Sequence, residues 1–333
     1  MNKIVILIPY FGSFRDSMPL FLASCLRNLQ IDWMIFTDIP HSDYYDGKNI
    51  IWVDMSLKDF NDLAVEKLNY NFKIQRAYKL CDLKPFYGII FQDYIENYDY
   101  WGYGDTDVVY GQVLEYLHKI NYTNYHKINW MGHLCLVKNS RQCREIVLKN
   151  SKNTINAFDV INQEKNIAFD ENDYNRKFLE NDLKIHTGIF AADIDVFYWR
   201  MRLVDKKTIR YFVNVKEIKK APRNHRKQLF ALINGRIYQL YLSRGKVRHK
   251  EFAYLHFRKE VPIEFDDYKR DTFIFSRTGF YGVEDGKRLL NDYNYVNDLI
   301  MKYNNQEGWL LETYSFFVNL KRIREKRKAR KYK

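Results

Sequence analysis

Asp105 and Asp107 stand one residue apart in "YDYWGYGDTDVVYG" (98–111), a run that is otherwise aromatic and apolar. Aspartate is a poor strand former and is seldom buried without a partner. Two of them in such a frame call for a cation, a basic partner or water. Paired carboxylate oxygens at a strand end are hard ligands that suit Mg²⁺ or Mn²⁺, and an ion held there could bridge the protein to a diphosphate. Tyr100, Trp101, Tyr103, Val108, Val109 and Tyr110 enclose the pair on both sides, which argues against a plain solvated turn. The four cysteines have no CxxC spacing, so neither a zinc site nor a disulfide framework is expected.

The elements around the pair follow from hydrophobic patterning. "IVILIPY" (Ile4 to Tyr10) is a near-continuous apolar run, as in a strand covered on both faces. A loop "FGSFRDS", a helix over "MPLFLASCLRNL" and strands over "WMIFTD" (Trp33 to Asp38) and "NIIWVD" (Asn49 to Asp54) follow. This β-α-β-β order predicts a parallel-type sheet with helices on its faces. Asp38 and Asp54 close their strands at the carboxyl ends, where such sheets hold ligands. "YNFKIQRAYKLCDLKPFYGIIF" places Ile74, Ala77, Tyr78 and Cys81 at helical spacing, with Lys84-Pro85 as the stop. After the acidic pair come a helix over "QVLEYLHKI" and a strand over "INWMGHLCLVK". The second half is less regular. It has strands in "HTGIFAAD", "GRIYQLYLSRGK" (within a hairpin) and "EFAYLHFRK", and helices over "DYNYVNDLIMKY" and from Trp309 to the end.

The 333 residues, 46% hydrophobic and 17% aromatic with only 6 Pro, describe a folded chain of one large domain or two ordinary ones. No run approaches the roughly 18 apolar residues of a membrane span. The first strand lacks a signal-peptide layout, and the expected location is cytoplasmic. Of the net charge of +13, +8 falls in Lys321–Lys333, which holds nine basic residues and one Glu; the other 320 residues carry +5. A basic face spread over a nucleic-acid-binding domain is thereby excluded. The tail follows an aromatic helical stretch from Trp309 to Ile323. That combination suits anionic lipid headgroups and predicts peripheral contact with the inner face of the cell membrane.

"PYFG" after the first strand, "IFTD" closing the second, "YKLCDLKPFYG" and "YDYWGYGDTDVVYG" together resemble bacterial glycosyltransferases of the GT-A fold. The likeness is strongest to a family associated with capsule and lipopolysaccharide biosynthesis. It covers residues 3 to 140 well and reaches more faintly to about 260. The resemblance implies an α/β fold: a GT-A-like, Rossmann-type nucleotide-sugar-binding sheet with helices on both faces, a less regular α+β acceptor half, and a C-terminal helix. It divides the chain into a donor-binding half at 1–140 of a single domain, an acceptor half at 141–285, and a helical segment with the basic tail at 286–333.

By the same resemblance, Pro9, Tyr10 and Phe11 would line the nucleotide pocket, with Thr37 and Asp38 at the base or ribose. Asp82 and Lys84 would contact the donor. Asp105 would face ribose or the metal through water, and Asp107 would ligate Mn²⁺ or Mg²⁺ directly. His256 in "YLHFRK" would complete the metal shell, with Arg258 and Lys259 at the diphosphate. "AFDENDYN" (Ala168 to Asn175) is similar to an acidic stretch of the group, and Asp170 or Glu171 would be the general base. The implied donor is a nucleotide sugar, UDP-linked, and the implied acceptor is a hydroxyl of a growing surface glycan or lipid-linked oligosaccharide. Two alternatives stay open. "DTDVV" also fits the nucleophile loop of haloacid-dehalogenase-like phosphatases, although that loop normally follows the first strand and the downstream G-D-x-x-x-D is absent. The tail alone would fit a non-catalytic basic binding protein.

Overall fold

The structure, a computed structural model, describes residues 2–44, 47–150, 154–195, 202–204, 223–258, 261–276 and 278–304. The described residues form two compact units, one up to Phe190 and one from Ala191 on.

The first unit is built on a seven-stranded sheet of β1 (Ile4–Pro9), β2 (Ile31–Thr37), β3 (Ile50–Asp54), β4 (Tyr100–Gly104), β6 (Lys127–Ile128), β7 (Leu134–Lys138) and β8 (Ile185–His186), in the order β3-β2-β1-β4-β7-β6-β8. β1 runs parallel to both β2 and β4, and β2 runs parallel to β3. β7 is antiparallel to β4. The apolar run of β1 is buried from Ile4 to Ile8, as a strand covered on both faces requires. The order 3-2-1-4 is half of a doubly wound arrangement. Its switch point lies outside the carboxyl ends of β1 and β4.

Helix α1 (Met18–Leu26) buries seven of its nine residues. α2 (Leu57–Leu68) starts from a capping box in which Ser56 and Asp59 exchange side-chain and backbone bonds. Leu7, Phe36, Phe60, Phe91, Trp101 and Val137 belong to one continuous core. At Gly102 a Cβ would sit 2.3 Å from the Cys135 carbonyl oxygen, so the close approach of β4 and β7 needs glycine there.

Two sequence expectations are corrected. The helix expected to stop at Lys84-Pro85 is instead a chain of short turns: a 3-10 turn Ala77–Lys79, α3 (Leu80–Leu83), a 3-10 turn Lys84–Phe86 and α4 (Tyr87–Ile90). Pro85 lies in the first turn of the second 3-10 segment, where its missing N–H costs nothing. The strand expected over "INWMGHLCLVK" breaks after Ile128. Asn129 takes a left-handed φ of 70° and its side chain bonds the N–H groups of Trp130 and Met131 and the Leu134 carbonyl. A side chain that satisfies three backbone groups replaces the ladder with a loop. Further short segments are β5 (Val108–Tyr110), α5 (Val113–Lys119), α6 (Arg141–Glu145), α7 (Ala157–Asn162) and α8 (Asp173–Glu180).

In the second unit β9 (Ala191–Asp195) pairs parallel with β14 (Tyr254–His256) and antiparallel with β10 (Arg202–Leu203). A six-stranded sheet has the order β13-β12-β11-β16-β17-β15, with β11 (Gln228–Ile233), β12 (Arg236–Ser243), β13 (Lys246–Phe252), β15 (Ile263–Glu264), β16 (Phe273–Ser276) and β17 (Gly279–Gly282). One face packs Leu229, Ala231, Leu240 and Ile274 against Leu289 and Val296 of the helices Gly286–Asn291 and Tyr293–Asn304. The aromatic stretch after residue 304 and the basic tail lie outside the described residues. Among the described residues no helix is long and apolar enough to cross a membrane.

Candidate functional site

Asp105 is the first residue past β4 and Asp107 the last before β5, so the acidic pair forms the connection between two strands. The Asp105 N–H donates to the His133 carbonyl at 3.2 Å. Trp101, Tyr103, Val108, Val109 and Tyr110 are fully buried around it, yet the carboxylate side chains keep 31% and 14% of their surface exposed. The pair therefore opens at the carboxyl edge of the parallel strands, beside the switch point.

The basic partner that the pair calls for is Lys84. Its buried Nζ donates to Asp105 Oδ1 at 2.5 Å and to the Gly132 carbonyl at 3.0 Å, and lies 3.8 Å from Asp170 Oδ2. Burial alone would lower its pKa, but the charges of Asp105 and Asp170 outweigh burial and hold the ammonium well above its ordinary value. The 3-10 turn that replaces the expected helix end is what carries this lysine. Asp170 is buried too. Desolvation pushes its carboxyl up to about 7; Lys84 pulls it down, and the charges of Glu171 and Asp105 push it up.

Gly132 joins these groups. Its N–H donates to Glu171 Oε1 at 2.9 Å and its carbonyl accepts from Lys84. A Cβ at this position would lie 2.1 Å from Asp170 Oδ2, so only hydrogen fits against the carboxylate. Asn175 locks the loop from behind, donating to the carbonyls of Trp130 (2.9 Å) and Glu171 (2.6 Å) and accepting from the buried Lys127 (2.7 Å). Asp82 is fully buried. It takes the Lys79 ammonium at 2.8 Å and the N–H groups of Ile167 and Phe169 at 3.2 Å. Its carboxylate thus pins the segment that delivers Asp170.

The remaining expected residues are placed as follows. Pro9 ends β1, and the Tyr10 N–H donates to the Phe36 carbonyl at 2.9 Å. The Tyr10 ring lies 5.4 Å from Phe14. Phe11 is core, packed 6.1 Å from Phe60. Thr37 is buried and its Oγ1 accepts from the Ile39 N–H at 3.2 Å, whereas Asp38 is exposed at the end of β2. In the second unit His256 Nδ1 lies 2.9 Å from Asp193 Oδ1. Arg258 grips the same carboxylate in a fork, Nε to Oδ1 at 2.7 Å and Nη2 to Oδ2 at 2.5 Å. Such a carboxylate orients the imidazole and fixes its tautomer. Lys259 lies outside the described residues. The structure thus gathers Lys84, Asp105, Asp170 and Glu171 around Gly132, while His256 and Arg258 share Asp193.

Sequence reasoning passed over Gly132, Asn175, Asp193 and Arg15, whose Nη1 is 3.5 Å from Asp107 Oδ2. The site lies at the switch point of a Rossmann-type α/β sheet and brings together an acidic pair and a buried lysine. The chain belongs to a family of unknown function (DUF6625), which matches residues 6–284. Similar solved structures include a protein from Desulfovibrio desulfuricans assigned as a nucleotide-diphospho-sugar transferase (12% identity, 56% of this chain and 80% of that one, TM-score 0.32). Another is the glycosyltransferase GlyE of Streptococcus pneumoniae (9% identity, 56% and 45%, TM-score 0.30). A third is the galactosyltransferase LgtC in complex with donor and acceptor sugar analogues (9% identity, 89% and 95%, TM-score 0.34). At these scores the likeness is loose, and the functional reading rests on the site's own residues. No curated protein matches the chain.

Proposed function

We propose that this protein is a metal-dependent glycosyltransferase. It moves a sugar from a nucleotide-sugar donor, UDP-linked, to a hydroxyl of a growing surface glycan or lipid-linked oligosaccharide. The observation that carries the reading is the Asp105–Asp107 pair at the switch-point edge, partly exposed within a fully buried aromatic frame and backed by Lys84 and Asp170. That edge is where α/β sheets of this kind bind nucleotides.

The donor set fits a divalent ion. Both carboxylates are hard oxygen ligands that reach the surface, and Mg²⁺ and Mn²⁺ select such ligands. Asp107 would hold the ion directly, Asp105 with it, and His256 is the further ligand that the resemblance implies. When bound, the ion neutralises charge on the leaving nucleoside diphosphate. Lys84 pairs with Asp105 and orients it. Asp170, with its carboxyl near 7, can take up or release a proton close to neutrality, which suits a base for the acceptor hydroxyl. The Gly132 N–H steadies Glu171 beside it. Tyr10 and Asp38, at the ends of β1 and β2, are offered to the nucleotide, and Arg258 and Lys259 to the diphosphate. The phosphatase reading is disfavoured by position, because the acidic pair follows β4 and not the first strand.

A panel of nucleotide sugars incubated without acceptor tests the proposal, since slow transfer to water reports donor activation. Mn²⁺-dependent hydrolysis of at least one UDP-sugar, lost in Asp107→Ala, is expected. Turnover of a simple phosphate ester with no sugar nucleotide consumed would replace this reading with the phosphatase one.

A further inference from the structure

One hairpin of the described residues is strongly basic. Residues 236–251 hold five Lys or Arg and one Glu, a net +4. Glu251 is taken by Arg236 at 2.8 Å, so the cations beyond Arg236 have no acidic counterpart within the hairpin.

These residues form the β12–β13 hairpin. Its two-residue turn, Arg244-Gly245, has positive φ at both positions (51° and 70°), the geometry that matches the twist of paired strands. The turn holds Arg244 exposed at the tip. Ser243, Tyr241 and Gln239 pair with Lys246, Arg248 and Lys250. Because side chains alternate along a strand, those three cations share one face at two-residue steps. All three are exposed, and β13 is an outer strand of its sheet. The result is a cationic ridge along an edge.

We infer that the β12–β13 hairpin is a docking surface for an anionic lipid bilayer, with Arg244, Lys246, Arg248 and Lys250 as its contacts. Charge complementarity carries the inference: Arg244, Lys246, Arg248 and Lys250 stand exposed together with no acidic residue among them, as attraction to a negative headgroup plane requires. A planar partner is preferred over a linear polyanion because the cations stand on the exposed outer edge of a sheet, whereas proteins that hold a strand track its backbone in a groove. Charges on an edge strand also keep it from pairing with another copy. That protective role predicts self-association on neutralisation, not loss of lipid binding. The inference stands independently of the transferase reading, since vesicle binding needs no turnover.

The test uses the full chain and its Lys246→Ser/Arg248→Ser/Lys250→Ser variant. Each is sedimented with phosphatidylcholine vesicles with or without phosphatidylglycerol at about one part in three. The wild type should sediment with the anionic vesicles only and be released by salt. The triple variant should partition about tenfold more weakly at low salt, and a Lys246→Arg/Lys250→Arg variant should bind like wild type. Unchanged vesicle binding by the triple variant would overturn the proposal, whether or not that variant self-associates. So would a wild type that binds soluble dextran sulfate but no vesicle, which would make the partner a linear polyanion.

Discussion

Replacing Asp170 with Asn should stabilise the protein at alkaline pH, although it removes the proposed base. In the folded chain burial pushes this carboxyl from 3.8 up to about 7. The unfolded chain releases the proton near the lower value. Between the two values the folded state therefore binds more protons, and stability falls as pH rises. Below about pH 4 neither state is ionised and there is no penalty. Above about pH 7 the penalty is complete, and at roughly 1.36 kcal/mol per unit it amounts to about 4 kcal/mol. Asparagine cannot ionise, so Asp170→Asn should gain about 2–4 kcal/mol at pH 8 and show no gain at pH 4. Urea unfolding at a series of pH values gives both curves. A variant less stable than wild type at pH 8 would mean that the ion pair with Lys84 outweighs desolvation, and the argument for a carboxyl near 7 would fail.

Further outcomes follow from the same cluster. Lys84→Met strands Asp105 and Asp170 without their shared ammonium and should cost about 3 kcal/mol in urea unfolding, part of it recovered when Asp105→Asn is added. Gly132→Ala drives a methyl toward Asp170 Oδ2 and should cost about 1–3 kcal/mol in the same assay, with a larger proportional loss of donor hydrolysis than of stability. Ending the chain at Leu320 should leave donor hydrolysis unchanged, because every proposed site residue precedes it, while weakening sedimentation with anionic vesicles.

The parallel core was legible because its strands announce themselves locally: an uninterrupted apolar run such as Ile4–Ile8 has few other ways to be buried. The acidic pair was legible because carboxylates in an aromatic frame demand a partner. The identity of that partner was not, since Lys84 was expected to contact the donor and not Asp105. What the sequence could not display is contact at long range. Gly132 matters because its missing side chain makes room for a carboxylate 38 residues later, and a glycine carries no mark of what fills the space beside it. Asp82, expected at the donor, is fully buried and holds the Ile167–Phe169 backbone. The pattern around it shows a polar residue on a short helix but not the direction its carboxylate takes. Pro85 misled for a related reason, since a proline that stops an α-helix is welcome in the first turn of a 3-10 segment. Asp193, which binds both His256 and Arg258, lies 63 residues from that histidine, and no local periodicity links them.

The most direct test of the account is calorimetric titration of UDP into the metal-stripped protein, with and without Mn²⁺, for wild type and Asp107→Ala. Binding that tightens at least about tenfold with Mn²⁺ in the wild type, and loses that gain in the variant, is the predicted result. Equal UDP affinity with and without the metal in the wild type would contradict it.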